Sequence, residues 1–252
     1  MILLSTSSLS WYWLHRIFQF AKKAWFNGID LSLNYTDFDV WDENYVKSLS
    51  DDIWIKVLSI TAPSRWLEED SISKIMSLSS VLWTQVVNFS PPYIKDLNAS
   101  WFSKKLSKIK KESKISICIK NVEPEFLLLV IPKYRNSSLI DLKKITGDTS
   151  LDLSFLDGSS WVDIIKAQKI LWNTIKNVYL SDKDWLLPWN AWWWISNLPI
   201  ESFLMKLKTT AYNWFISLKV NPIELWVWNE ELIFQNISNI IDYYKKYYLE
   251  YK

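Results

Sequence analysis

The chain has 252 residues with 29 basic and 27 acidic side chains, a net charge of +2, and 49% apolar residues. That size and apolar share suit one large domain with its own core, and the near-balanced charge offers no global field to recruit nucleic acid. A single cysteine, Cys118, excludes an internal disulfide; with no apolar run of membrane-spanning length and only Met1 to Leu4 before the first polar residues, the expected location is the cytoplasm, away from membranes.

Short apolar strand segments alternate with amphipathic helical runs from end to end. Strand 2–5 precedes helix 11–24, strand 28–33 helix 43–52, strand 56–61 helix 69–82, and strand 85–90 helix 97–112. Strand 115–120 leads to helix 139–145, strand 150–154 to helix 162–171, strand 177–181 to helix 200–212, and strand 215–220 to helix 230–248. Eight βα units in about 250 residues are the count and length of a (β/α)8 TIM barrel, so the expected fold is α/β, one domain over residues 1–252. A doubly wound sheet would have fewer strands and a Gly-rich first turn. Ser10-Trp11-Tyr12-Trp13-Leu14 is not that fingerprint even with Gly at both Trp positions. The basic stretch Lys104 to Lys111 spaces Leu106 and Ile109 three apart, as a solvated outer helix does. Tyr243 to Tyr248 reads as the exposed, fraying end of the last helix.

The chain holds 18 Trp and 3 Gly, whereas an ordinary composition would give about 18 Gly in this length. A helix that runs into a strand commonly needs a residue of positive φ just past its end, and Gly occupies that position at least cost. Trp25, Trp54, Trp83, Trp172 and Trp214 stand at five such junctions, while a sixth carries Gly147. The expectation is that most of these Trp occupy Gly positions, as when UGA codons that mean Gly in the source cell are translated as Trp. Trp41, Trp101 and Trp161 lack the junction context. The competing reading is an aromatic surface for glycans or membranes.

In a TIM barrel the working residues sit at the C-terminal strand ends and in the loops beyond. Those positions hold Ser5, Thr6, Asn34, Thr61, Arg65, Asn88, Lys120, Asn121, Asp152, Ser181, Asp182, Lys183 and Lys219, then Asn221 and Glu224. The loop Leu186-Leu187-Pro188-Trp189-Asn190-Ala191-Trp192-Trp193-Trp194 becomes Gly-rich once Gly is restored, giving free backbone N–H groups for a phosphate or carboxylate, or simply a flexible loop. Lys120 and Asp152 lie on neighbouring strands and are expected to pair; Glu224 and Asp182 are the candidate partners of Lys219. His15, in the first helix, is expected to be a surface or packing residue.

The segments Ala21-Lys22-Lys23-Ala24-Trp25-Phe26-Asn27-Gly28-Ile29-Asp30, Val178-Tyr179-Leu180-Ser181-Asp182, Leu198-Pro199-Ile200-Glu201-Ser202-Phe203 and Ile216-Ser217-Leu218-Lys219-Val220 resemble the xylose isomerase-like TIM-barrel superfamily. Its members include sugar phosphate isomerases and epimerases and endonuclease IV-type repair enzymes. The resemblance implies a divalent metal held by Glu after strand five, Asp-x-x-His after strand six, His near strand seven and Glu after strand eight. This chain has Lys120, Asp152 followed by Phe155, Tyr179 and Lys219 at those places. One carboxylate beside two ammonium groups is a poor site for a hard cation, so neither a metal nor another cofactor is expected. A multi-histidine zinc cluster is excluded by the single His15. Two readings follow. The first is an isomerase- or epimerase-like protein for a sugar, sugar phosphate or similar anionic polyol, with Lys219, Lys120, Asp182 and Asp152 as catalytic candidates and Asn121, Ser181, Lys183, Asn190, Asn221 and Glu224 as substrate contacts. The second is a barrel that has lost catalysis and binds a ligand or partner.

Overall fold

The computed structural model describes residues 1–65, 67–94, 99–123, 125–128, 130–156, 161–189 and 198–251. Eight parallel strands close into a barrel: β1 (Ile2–Ser5), β2 (Gly28–Ser32), β3 (Val57–Thr61), β4 (Val86–Phe89), β5 (Ser116–Lys120), β6 (Asp148–Asp152), β7 (Ile175–Leu180) and β8 (Phe215–Leu218). Each pairs with its chain neighbours, and β8 closes onto β1 through Leu3↔Ser217. The helices α1 (Leu14–Lys23), α2 (Glu43–Ile53), α3 (Glu69–Val81), α4 (Ala99–Glu112), α5 (Leu139–Thr146), α6 (Trp161–Leu171), α7 (Ile200–Thr209) and α8 (Glu230–Tyr244) follow the strands one by one. Every expected strand is present within two residues. A hairpin of Phe126–Leu127 with Ile131–Pro132, between β5 and α5, was not legible as strand. No helix of the described residues is long and apolar enough to cross a membrane.

Period-two alternation separates two environments, broken in β3 where a register shift against β2 turns both Leu58 and Ser59 inward. The outward residues, such as Leu4, Ile29, Ile60, Val87, Ile119, Val178 and Ile216, pack against helix faces. Those faces show the matching helical spacing: Leu14, Ile17, Phe18 and Ala21 on α1, and Ile233, Ile237, Ile240 and Tyr244 on α8. Inside the barrel, Leu3, Leu58, Val86, Cys118 and Phe215 form an apolar floor. Above it the lining turns polar, unlike the usual branched aliphatic filling. Asn88 Nδ2 donates to Ser59 Oγ at 2.8 Å and to the Ile60 carbonyl at 2.9 Å, Ser150 Oγ donates to Asn88 Oδ1, and Ser217 Oγ donates to Asn177 Oδ1 at 2.9 Å. Buried polar groups persist when they satisfy one another in this way. Gly28 is required at its place because a Cβ would lie 2.8 Å from the Lys56 carbonyl.

The helix ends show which Trp occupy left-handed backbone. Trp25, Trp54 and Trp83 are left-handed, with φ of 65°, 59° and 55°. Each sits one residue before an N–H that reaches back five residues: Phe26 to Ala21, Ile55 to Ser50, and Thr84 to Ser79. That is the Schellman end, whose left-handed position favours Gly. The three indoles are 84%, 82% and 84% exposed, so they gain little burial in return. Gly147, at φ 79°, occupies the equivalent position after α5. Two junctions differ from expectation. After α7 the left-handed residue is Ala211 (φ 55°) and not Trp214. After α6 a 3-10 turn, Trp172–Thr174, carries the chain into β7 without positive φ. Trp41 behaves as a fitted Trp: its indole N–H donates to the Asn34 carbonyl at 2.8 Å and its ring stacks on Tyr35 at 5.7 Å. The side chains of Trp101 and Trp161, and all of Trp192 to Trp194, lie outside the described residues.

The C-terminal tyrosines also depart from expectation. Tyr244 and Tyr248 are buried and stack at 5.1 Å, and the Tyr248 hydroxyl donates to the Tyr212 carbonyl. The helix continues as a π turn over Lys245–Leu249, which turns Tyr248 inward. Replacing Trp25, Trp54 or Trp83 by Gly is expected to stabilise the fold by about 1 kcal/mol each through relief of the left-handed Cβ clash. That corresponds to a rise in Tm of roughly 2–4 °C per site in a chain of this size. Trp41→Gly is expected to lower Tm. Thermal unfolding of the four variants checks this, and a fall at all four positions would contradict it.

Candidate active site

The strand ends bring charged groups together over the polar barrel interior. Asp152, the last residue of β6, is fully buried; its Oδ2 accepts from Lys219 Nζ at 2.8 Å. Oδ1 accepts from Ser154 Oγ at 2.6 Å, and the Asp152 backbone is clamped by Asn121, whose Oδ1 accepts from its N–H at 2.6 Å and whose Nδ2 donates to its carbonyl at 2.8 Å. The pairing expected between Lys120 and Asp152 is not formed. In the β5–β6 ladder Lys120 is level with Ser150, two residues short of Asp152, and Lys219 reaches the carboxylate from beyond β8 instead. Neither Asp182 nor Glu224 is the partner of Lys219. Asp182 Oδ1 accepts from the Lys183 N–H at 2.7 Å, capping the turn after β7, and Glu224 lies in the 3-10 turn after β8.

Lys219 is boxed by aromatic faces. Its Nζ lies 5.2 Å from the Tyr179 ring centroid, 5.3 Å from Trp185 and 5.7 Å from Phe155, within the range of cation–π attraction. Lys120 is buried and forms no ion pair among the described residues. Burial takes water from its ammonium and Lys219 adds repulsion; against the pull of Asp152 and Asp30, its pKa is held down to about 7. Asp30, on β2, is fully buried and accepts from Ser5 Oγ at 2.8 Å and Thr61 Oγ1 at 3.1 Å. Burial pushes its carboxyl up against those hydrogen bonds. The Tyr179 hydroxyl hydrogen-bonds Thr61 and is pushed up in the same direction by burial and by Asp30. The alternation of Asp30 and Ser32 with Ile29 and Leu31 was a legible sign that Asp30 points inward.

The remaining candidates divide by position. Ser181, at the end of β7, is buried with its Oγ unpartnered among the described residues. Asn221 accepts from the Ile223 N–H at 3.1 Å, and its own N–H donates to the Trp185 carbonyl at 2.7 Å, tying the loops after β7 and β8 together. Lys183 lines a cavity of about 220 Å³ with Glu123, Ser154, Phe155, Leu156, Asp184 and Trp185. A larger cavity of about 430 Å³ opens over β1 and β2; Thr6, Ser7, Ser32, Asn34, Asp37 and Asp39 line it with Trp11 and Trp13. Asp37 and Asp39 lie past the strand end in an irregular loop, where no periodicity marks them. Asn190 and most of the expected Gly-rich loop lie outside the described residues. His15 is exposed in the first turn of α1, with its ring near Gln19.

Among the described residues no three His, Cys, Asp or Glu side chains converge. The one carboxylate where the resemblance implies a metal is already neutralised by Lys219, with Lys120 nearby; this donor set does not fit a divalent cation. It does fit an oxygen that gains negative charge: an ion-paired ammonium can polarise a carbonyl, and a buried lysine near neutrality can exchange a proton.

No protein-family profile matches the chain, and no curated protein matches it in sequence. Its backbone is nonetheless similar to solved structures over nearly the whole length. D-psicose 3-epimerase from Clostridium cellulolyticum superposes with a TM-score of 0.69 at 10% identity, covering 98% of each chain. An AP endonuclease of family 2 from Brucella melitensis gives 0.65 at 12% identity, covering 88% of this chain and 93% of that one. A xylose isomerase domain protein from Alicyclobacillus acidocaldarius gives 0.60 at 13%, covering 97% and 100%. At such identities the likeness establishes the barrel and its strand order.

The low pKa of Lys120 has a consequence for stability. Its folded value, about 7, lies below the 10.5 of an unperturbed lysine, so between those pH values the unfolded chain binds the extra proton and stability rises with pH. Urea unfolding at pH 6.5 and pH 9 is expected to give a higher midpoint at pH 9. Lys120→Met is expected to reduce that difference; an unchanged difference in the variant would remove Lys120 as its source.

Proposed function

We propose that the chain is an isomerase- or epimerase-like barrel for a phosphorylated sugar or similar anionic polyol, working without a divalent metal. The observation that carries the reading is the mouth itself: Lys219, ion-paired to buried Asp152, beside Lys120, buried and held near neutral pH. Lys219 replaces the Lewis acid by polarising the carbonyl oxygen, and neutral Lys120 takes the proton from the adjoining carbon, with the charge developing on that oxygen stabilised by the Lys219 ammonium. Asn121 acts through Asp152 by holding its backbone. Lys183, at the rim of the smaller cavity, supplies a charge for the phosphate, and the hydroxyl-rich wall of the larger cavity suits a polyol. The similarity in fold to an epimerase and to xylose isomerase domain proteins supports the class. We place the protein in the cytoplasm, with no nucleic-acid or membrane partner.

We also propose that the natural product carries Gly at Trp25, Trp54, Trp83, Trp185 and Trp226, through UGA codons read as Gly. All five are left-handed, where a side chain with Cβ is costly.

Thermal-shift measurements with aldose and ketose phosphates, on protein with Gly at the five positions, test the main reading. A ligand at a hundredfold excess over its Kd is expected to raise Tm by roughly 5–10 °C. The double variant Asp152→Asn, Lys219→Met removes both charges, which avoids leaving one buried and unpaired, and is expected to lose the shift. Stabilisation that depends on a divalent metal, or that survives in the double variant, would contradict the proposal.

A further inference from the structure

The loop after β7 holds a side chain that its surroundings do not accommodate. Trp185 has φ 59° and follows Asp184, itself left-handed at 55°. Asp tolerates that region through its short polar side chain, whereas a bulky aromatic is an outlier there. The Trp185 indole N–H is buried with no hydrogen-bond partner among the described residues. Such a donor loses its water without recompense. The ring stands edge-on to Phe155 at 5.4 Å and 5.3 Å from Lys219 Nζ, and it also lines the 220 Å³ cavity. With Phe155, it borders both that cavity and the ammonium.

The backbone at this point is held without help from the indole. The Asn221 N–H donates to the Trp185 carbonyl at 2.7 Å, Asp182 N–H to the Leu186 carbonyl at 2.9 Å, and Leu186 N–H to the Lys183 carbonyl at 3.2 Å. Removing the side chain leaves these bonds in place and unstrains the backbone. The ammonium has three donors, of which one goes to Asp152. The direction now covered by Trp185 is the one through which an acceptor from the cavity would approach.

We infer that residue 185 gates a subsite in which the Lys219 ammonium meets the carbonyl oxygen of a small aldehyde or ketone, and that the subsite is open when residue 185 is Gly. The inference deepens the proposed function and rests on it for the nature of the ligand, but the gate itself is measurable without any sugar. The Tyr179 and Phe155 rings face the same ammonium, and Asp152 holds it through an ion pair.

Reductive methylation with formaldehyde and a borane reductant is a direct probe. The unprotonated fraction of a lysine adds to the aldehyde carbon, water leaves, and hydride from the borane reduces the imine to a methylamine. Peptide mass spectrometry then reads each lysine, with exposed Lys108 as the internal reference. In Trp185→Gly, modification of Lys219 relative to Lys108 is expected to rise at least tenfold over the parent chain. In Trp185→Phe, which keeps a ring over the ammonium, it is expected to stay near the parent level. No rise in Trp185→Gly would overturn the gate, and so would an equal rise in Trp185→Phe, since loosening of the loop would then suffice. Failure to bind sugar phosphates, with the labelling result intact, would count against the proposed function alone.

Discussion

The buried ion pair between Lys219 and Asp152 is the constraint around which the mouth is organised. A carboxylate with no exposed surface is tolerable only if it is matched in charge and in hydrogen bonds. Asp152 obtains one from Lys219 and the other from Ser154, while Asn121 fixes its backbone. Because Lys219 is committed to Asp152, Lys120 is left without an opposite charge at contact distance, and burial lowers its pKa. The two lysines are thereby made unlike: one is ion-paired, the other is buried without an ion pair among the described residues. Asp30, fully buried on the opposite side of the barrel, is sustained by hydroxyl donors from Ser5 and Thr61. The polar interior follows from strand alternation and is laid over an apolar floor, so the barrel keeps its core while presenting chemistry at one end.

Most of the architecture was legible because the period-two and helical patterns are regular. Strand β6 is two residues earlier than the expected 150–154, yet Asp152 still falls at its C-terminal end. The loops were less legible, for a physical reason: which lysine reaches Asp152 depends on register across the closed barrel, a long-range property that neighbouring residues do not encode. Asp30 completes a buried hydroxyl network, and no periodicity marks the loop acids Asp37 and Asp39. The burial of the C-terminal tyrosines is not encoded in helical periodicity, because a π turn is needed to bring Tyr248 under Tyr212.

The Trp positions join fold and site in one argument. At Trp25, Trp54 and Trp83 the Schellman hydrogen bonds demand a left-handed residue, and Ala211 and Gly147 occupy the equivalent places after other helices. At Trp185 the same backbone state recurs beside Lys219, so the identity of that residue bears on access to the mouth as well as on stability. Trp41, hydrogen-bonded and stacked, marks what a fitted Trp looks like in the same molecule.

Peptide mass spectrometry of the protein isolated from its own cells tests the central claim most directly, because it reads the residue at each position without any assumption about activity. The account predicts Gly at positions 25, 54, 83, 185 and 226 and Trp at position 41. Trp at positions 54 and 185 in the native protein would contradict it.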